Sequence, residues 1–567
     1  MDARMRGLEW WTVFLFAAGC GRVSFDSDDA QPTTGGAGAS IAGQAPISDG
    51  GRAPNGGHFG DDSVFGGSSG AFAEAGIGGT DAGAAGEVES NAGSAGETES
   101  SAGTGGVAGT GGVVGSGGVV GSGGGAGSGG GAGSGASGNG ASGSAGSAGS
   151  GAANVRVIGG AARTVCSLLN GQVKCWGAGY YGTLGNGTYG NKGDQPNELG
   201  PQLAPVNMGA GLLVQALSTA NHSCAIVTSG ALKCWGWNNL GELGQDDTIT
   251  RGAAPGQMGD ALKFVNLGSG RRALQISAGG GHTCALLDDH SVKCWGANLQ
   301  GQLGYDDTLS RGGATGDMAK LAPVALGQPA RAVYASAGRS CATLNDESLK
   351  CWGDNSSGQL GYGDTRSRGI ASGDMAALSS VSLGAGRTVK QLAMGWQFSC
   401  ALLDDQSVKC WGRGYEGQLA SGSPEAIGDQ PGEMGDALHK VNLGARPAIA
   451  LTAGKNHACA LLDDGSVKCW GSAENGQLGN GDPTPWLYIG DSPNELGENL
   501  KPVALGTAHT ATAIAAGEQS TCAVLEDRIS VKCWGNGFDG ELGNGSNAII
   551  GDNPGEMGDA LPIVPLE

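Results

Sequence analysis

The chain reads as an all-β protein, a seven-bladed β-propeller preceded by a long disordered linker rich in Gly, Ala and Ser. Three observations lead there. The stretch Cys284-Ala-Leu-Leu-Asp-Asp-His-Ser-Val-Lys-Cys-Trp-Gly296 recurs seven times, with Cys-Trp-Gly copies at Cys175, Cys234, Cys294, Cys351, Cys410, Cys469 and Cys533, a period of 57 to 64 residues. Each unit is too small and too β-rich to bury a core alone, so the units must pack on one another. Gly supplies 115 of the 567 residues, and a dense share of it lies before residue 154, which sets a low-complexity segment apart from the repeats.

Taken in order, Met1–Arg6 is a short basic start, followed by the apolar run Trp10–Gly19 and then Cys20. This pattern predicts a secretory signal peptide over residues 1–19, too short to cross a bilayer as a helix. Ala17-Ala18-Gly19-Cys20 resembles a bacterial lipobox, with Ala17 where Leu is usual, so Cys20 is the expected lipidation site. Ordinary secretion is the alternative. No apolar run long enough for a transmembrane helix occurs elsewhere.

Residues 20–153 form the expected linker. Between Gly21 and Ala153 stand two basic residues, Arg22 and Arg52, against twelve acidic ones. Such a segment cannot offset the entropy of folding, and as a flexible chain it spans roughly 60 Å r.m.s.. It would lift a folded head from a membrane if Cys20 is an anchor. The whole chain carries a net charge of −21, with no cluster of Lys or Arg longer than a pair, which argues against nucleic acid as a partner.

Residues 154–567 form the expected propeller. In the third unit Leu274–Gly279 alternates as a strand entering a tight turn, and the two Cys-bearing strands follow. Gly296-Ala-Asn-Leu-Gln-Gly-Gln-Leu-Gly304 is a Gly-punctuated loop, and Pro323–Gly327 supplies a fourth short strand after an Asp-rich connector. Four short strands repeated radially describe a propeller blade. The chain ends on a strand of the fourth type, Leu561–Leu566; joined to the first blade, it would close the ring.

Ala-Gly-x-x-His-Thr-Cys-Ala-Leu, Gly-Ser-Val-Lys-Cys-Trp-Gly and Gly-Gln-Leu-Gly together resemble the repeat of the regulator of chromosome condensation family. The resemblance covers all seven units and implies a seven-bladed propeller, in which Trp176, Trp235, Trp295, Trp352, Trp411, Trp470 and Trp534 pack between blades. One copy departs from it, with Gln418-Leu-Ala420 in place of the usual Leu-Gly. His222, His282 and His457 fall at the family's recurrent His position, which implies hydrogen-bonded structural histidines.

Fourteen of the fifteen cysteines make seven pairs: Cys166/Cys175, Cys224/Cys234, Cys284/Cys294, Cys341/Cys351, Cys400/Cys410, Cys459/Cys469 and Cys522/Cys533. Their separations of 9, 10 and 11 leave turns of two (Asn170-Gly171), three (Asp463-Asp464-Gly465) and four (Glu526–Ile529) residues if each pair faces across a hairpin. Facing cysteines on adjacent strands are within disulfide reach, and export would let the bond form. Zinc would require closer Cys or His ligands and redox catalysis a Cys-x-x-Cys, neither of which is present.

Function is expected in loops that vary between blades. One set lies between the first strand and the first Cys of each unit and should ring one mouth of the channel. The candidate partner-binding residues are there: Arg163, Asn221, Arg339, Trp396, Gln397, Lys455 and Glu518. In this alignment the fourth unit is two residues short before Arg339. The second set follows Trp-Gly and includes Tyr180-Tyr181, Leu240, Leu299, Tyr415 and Phe538, with Trp237 beside it. Asp246-Asp247 and Asp306-Asp307 lack a calcium-loop spacing and read as turn and strand caps. No catalytic motif is found, and no cofactor or metal is expected.

The expectation is therefore a monomeric, exported and lipid-anchored outer-membrane or cell-surface module for protein binding or adhesion, without enzymatic activity; a periplasmic or freely secreted protein is the alternative location. The alternatives in function are an inhibitor or regulator of a secreted enzyme and, less favoured, a propeller hydrolase or lyase.

Overall fold

The computed structural model describes residues 156–159, 163–484 and 487–567. The signal peptide, Cys20 and the linker lie outside the described residues.

Seven antiparallel sheets follow one another along the chain. In the third blade the strands are Ala273–Ala278, His282–Leu287 and Val292–Gly296, and each of the other six repeats supplies the same three. The expected fourth strand is reduced to two separate points of attachment on the third strand. Near the Trp-Gly end a single bridge forms, such as Gly296 with Arg311, which blade 6 extends to the two-residue strand Tyr488–Ile489. At the other end one hydrogen bond is made, from Val324 N to Val292 O at 2.8 Å. The segment in question begins with Pro323, which has no N–H to give a ladder.

The same outer contact corrects the expected ring closure. Val564 N donates to Val531 O at 2.8 Å, so the terminal segment completes blade 7 rather than joining the sheet of blade 1. Blade 1 meets this tail from the side, where Gly200 N donates to Pro565 O at 2.7 Å and Lys174 Nζ to Leu566 O at 2.6 Å.

All seven cysteine pairs are joined within their blades, with Cα atoms 4.0 to 4.1 Å apart. In every blade the two cysteines are direct register partners, for example Cys284 opposite Cys294, at the short spacing of a non-hydrogen-bonded pair. The turn lengths are those the separations require: Leu169 pairs with Gln172 around Asn170-Gly171, and Leu462 N donates to Ser466 O around a three-residue turn.

Neighbouring blades are stitched by the repeat residues themselves. Each of the seven tryptophans is fully buried, and its indole N–H donates to a backbone carbonyl in the Gly-Gln-Leu-Gly loop of the preceding blade; Trp352 Nε1 reaches Gln302 O at 3.0 Å. The glycine after Leu makes room for this. A Cβ on Gly304, whose φ is +74°, would come within 2.8 Å of the Trp352 nitrogen. The deviant copy Ala420 takes the same left-handed conformation, with φ +51°, at a cost that glycine avoids.

The histidines add a second stitch. His282 Nε2 lies 2.8 Å from Ser340 Oγ in the next blade, and that hydroxyl donates to Gln302 O at 2.8 Å. Because the single hydroxyl proton is committed to the carbonyl, the imidazole must donate from Nε2. His222 and His457 make the same relay through Thr283 and Thr521. Burial lowers the pKa of all three to about 3, so they stay neutral.

Candidate functional site: the mouth of the propeller

The turn between the first and second strands and the loop after Trp-Gly lie at the same end of every blade, and one backbone hydrogen bond joins them each time. Ala178 N donates to Arg163 O, Trp237 N to Asn221 O, Arg413 N to Gln397 O and Asn536 N to Gln519 O, all between 2.9 and 3.1 Å. The two variable loop sets therefore form one surface around one mouth.

Five of the candidate residues fall on an arc running from blade 5 through blades 6 and 7 to blade 1. Trp396 is 45% exposed, and the Lys455 ammonium stands 4.1 Å from its ring centroid. Trp396 N donates to Lys455 O at 3.1 Å, and Lys455 N to Glu518 O at 2.8 Å, so the turns are linked through the main chain. Lys455 Nζ lies 3.8 Å from Glu518 Oε1, and Arg163 Nε lies 3.7 Å from Glu518 Oε2. Arg163 also reaches Asp539 at 3.2 Å, which accepts from Tyr180 OH at 2.7 Å. Burial pushes the Glu518 carboxyl up, while Arg163 and Lys455 oppose that shift. Gln397 is half-buried beside Arg413.

Asn221 sits apart from this arc and donates to Gly280 O of the next blade at 2.7 Å. From there to blade 4 the turns carry only Gly280-Gly281 and Ala337-Gly338, so the long side chains of this turn set are gathered on the arc from blade 5 to blade 1.

Arg339 requires correction. It is 1% exposed and forms part of the scaffold rather than the rim. The register pairs Arg339 with Gly353 as it pairs His282 with Gly296, so the fourth blade is not shortened and Arg339 occupies the recurrent His position. Its guanidinium donates to the carbonyls of Gly395, Trp396 and Phe398 in the next blade. Counting two residues back from Cys341 finds this position; matching Ala337-Gly338 to the other Ala-Gly turns conceals it.

The second loop set supplies the apolar part of the surface. Tyr180, Tyr181, Tyr415 and Phe538 are exposed by 45 to 62%, and Leu240 and Leu299 are exposed beside them. Trp237 packs edge-on against Tyr181 with ring centroids 4.0 Å apart. Of the seven exposed aromatic side chains among the described residues, five belong to these two loop sets.

Two buried carboxyls near the mouth, Glu242 and Glu541, have pKa values pushed up by burial to about 7, a feature that often marks acid–base groups. Here the role is architectural. Each is 1% exposed and accepts from the backbone N–H two residues earlier, Leu240 or Asp539, at 2.9 Å. Gln302, Gln359, Gln418 and Gln477 make this bond in four other blades. The aspartates considered for cation binding are also engaged: Asp307 pairs with Arg311 at 2.7 Å, and Asp306 caps Gly373 N and Met375 N. Among the described residues no group of acidic, His or Cys side chains is arranged to hold a metal.

Seven stapled blades around a loop-built mouth define a repeat propeller whose variable surface is its loops. The chain belongs to the RCC1-like domain family, whose model matches residues 120–512. It is 28% identical over 406 residues to the ultraviolet-B receptor UVR8 of Arabidopsis thaliana, covering 69% of this chain and 79% of that protein. It is 27% identical over 364 residues to the human E3 ubiquitin-protein ligase HERC2, covering 63% of this chain but only 7% of the ligase. Among solved structures, a complex of Kap60 with yeast RCC1 (Prp20) matches with a TM-score of 0.50 at 18% identity, over 71% of this chain and 83% of that one. That likeness concerns the fold.

Proposed function

We propose that this protein is an exported binding module, anchored through lipid on Cys20 to an outer membrane or cell surface, that uses the mouth of a disulfide-stapled propeller to hold a protein partner. Residues 20–153 are its spacer. It acts as a monomer and carries out no chemistry of its own. Seven disulfides among the described residues favour an oxidising compartment.

The observation that carries the binding surface is Trp396, an exposed indole whose turn is fixed from both sides. Arg339 holds its carbonyl from blade 4, and Lys455 accepts from its N–H in blade 6. A large aromatic held in place before binding loses little entropy on contact, which is what an interface anchor requires. The same pre-organisation favours inhibition of a secreted enzyme as the specific form of the interaction, since enzyme–inhibitor surfaces move little on association.

The test is retention of a partner from the native extracellular milieu by two double variants of the full chain. Trp396→Ala/Tyr415→Ala alters the mouth. Leu213→Ala/Leu274→Ala removes side chains of similar exposure at the other end of the blades. Loss with the first pair only is expected; loss with the second pair only contradicts the assignment.

A further inference from the structure

The mouth is neither uniformly apolar nor uncharged, and its blade 5 and 6 side carries charges of both signs. Glu416 and Glu474 stand there with Arg413 and Lys455, and Glu518 of blade 7 lies between Lys455 and Arg163. Both cations are already engaged. Lys455 covers Trp396 and approaches Glu518, while Arg413 lies 3.3 Å from one oxygen of Glu416. The other oxygen of Glu416 is buried with no hydrogen-bond donor among the described residues. Beside it, the exposed Glu474 carboxylate accepts among the described residues only from Tyr488 OH, at 3.1 Å, and the Tyr415 and Tyr488 rings stand 6.5 Å apart. Tyr415 is 62% exposed.

We infer that the partner presents a Lys or Arg side chain to this side of the mouth, seated against Tyr415 with Glu474 as its counter-ion and the Glu416 charge beneath. The inference rests on the mouth being the binding surface. A cation there gains both a ring face and an exposed carboxylate. At Trp396 the same cation would meet Lys455 4.1 Å from the ring centroid, whereas at Tyr415 the resident cation, Arg413, stands farther off at 5.8 Å and is drawn to Glu416. The chain's net charge of −21 steers a cationic partner towards it and away from an anionic one.

The test uses the full-length protein and two synthetic peptides of equal length, one alternating Leu with Lys and the other Leu with Glu. Titration calorimetry is run at about 50 and about 200 mM salt on the native protein, Glu416→Gln/Glu474→Gln and Trp396→Ala, with matched thermal melts to confirm folding. The Lys peptide is expected to bind, to weaken with salt, and to lose about tenfold in affinity in the double Gln variant; Trp396→Ala weakens it too, through lost apolar contact. Equal binding of the Glu peptide overturns the inference, as does a Lys-peptide affinity that stays within about twofold in the double Gln variant. If Trp396→Ala alone still weakens binding, the cation inference fails and the mouth surface stands. If neither variant moves binding, as capture by the acidic linker would give, both fail.

Discussion

Trp176 Nε1 donates to Glu541 O at 3.0 Å across 365 positions of sequence, so the first and last blades meet through the bond that joins every other neighbouring pair. Closure thus needs no strand exchange between the chain ends. The seam between blades 7 and 1 has the same indole stitch as the seam between blades 3 and 4, and it gains Arg163, which bridges Glu518 and Asp539.

Trp176→Phe should therefore cost at least as much stability as Trp352→Phe. Each change removes the indole donor from a buried carbonyl and opens a small void, at about 2–3 kcal/mol, and Gln302 O keeps the Ser340 hydroxyl where Glu541 O keeps no side-chain donor among the described residues. Urea unfolding monitored by circular dichroism measures both. A markedly smaller cost at Trp176 would mean that the ring is open at this seam.

Arg339 should act on Trp396 through the backbone. Arg339→Ala removes a donor from three carbonyls and leaves that of Trp396 with none among the described residues, since Gly395 O keeps the Ser336 hydroxyl and Phe398 O keeps Gly395 N–H; the expected loss is about 3 kcal/mol, and hydrogen exchange should quicken at residues 395–398. Arg339→His restores the residue used by blades 2, 3 and 6 and should recover part of the loss through Ser399, whose hydroxyl already donates to Gln359 O. Unchanged exchange in the Ala variant would separate Arg339 from the presentation of Trp396.

Stability should vary with pH in two opposed ways. The three buried histidines have folded pKa values near 3, below the unfolded value of about 6.5. Their effect is absent above that value. As pH falls below it the unfolded chain binds protons that the folded chain refuses, and stability drops by about 1.4 kcal/mol per pH unit for each. Glu242 runs the other way. Its folded pKa is raised to about 7, so its stabilising contribution is complete below about pH 4 and lost as pH rises through 7. Glu242→Gln, with the amide found in four other blades, should raise stability by ~2 kcal/mol at pH 8, a gain that fades towards pH 4. Melting curves across that range provide the check.

Each staple should contribute separately. Removing one, as in Cys400→Ala/Cys410→Ala, reopens a loop of about ten residues in the unfolded chain, an expected cost of about 2–3 kcal/mol. Denaturant midpoints should show similar losses for any blade, because the cysteines are register partners in all seven.

The scaffold was legible in the sequence because its determinants are local and repeated. Cysteine separations that follow turn length imply facing strands, and Leu-Gly before a Trp-bearing blade implies close packing. The fourth strand was less legible, since Pro323-Val-Ala-Leu has a strand's alternation but lacks the donor needed to continue a ladder. The mouth was legible as a list of variable residues and not as an arrangement. Nothing in the spacing of Arg163, Lys455 and Glu518 announces that blade 7 sets the carboxylate between the two cations. Arg339 misleads for a physical reason: an arginine in a turn normally reaches water, and this one instead fills the space of a buried histidine.

The most direct measurement of the central claim is the hydrogen-exchange footprint of a bound partner on the native, oxidised protein. Protection is expected of the 395–397, 413–417 and 472–475 loops, with the Cys-to-Cys turns at the other end, such as 404–407 and 463–466, unchanged. Protection of those turns with the mouth loops left open would contradict it.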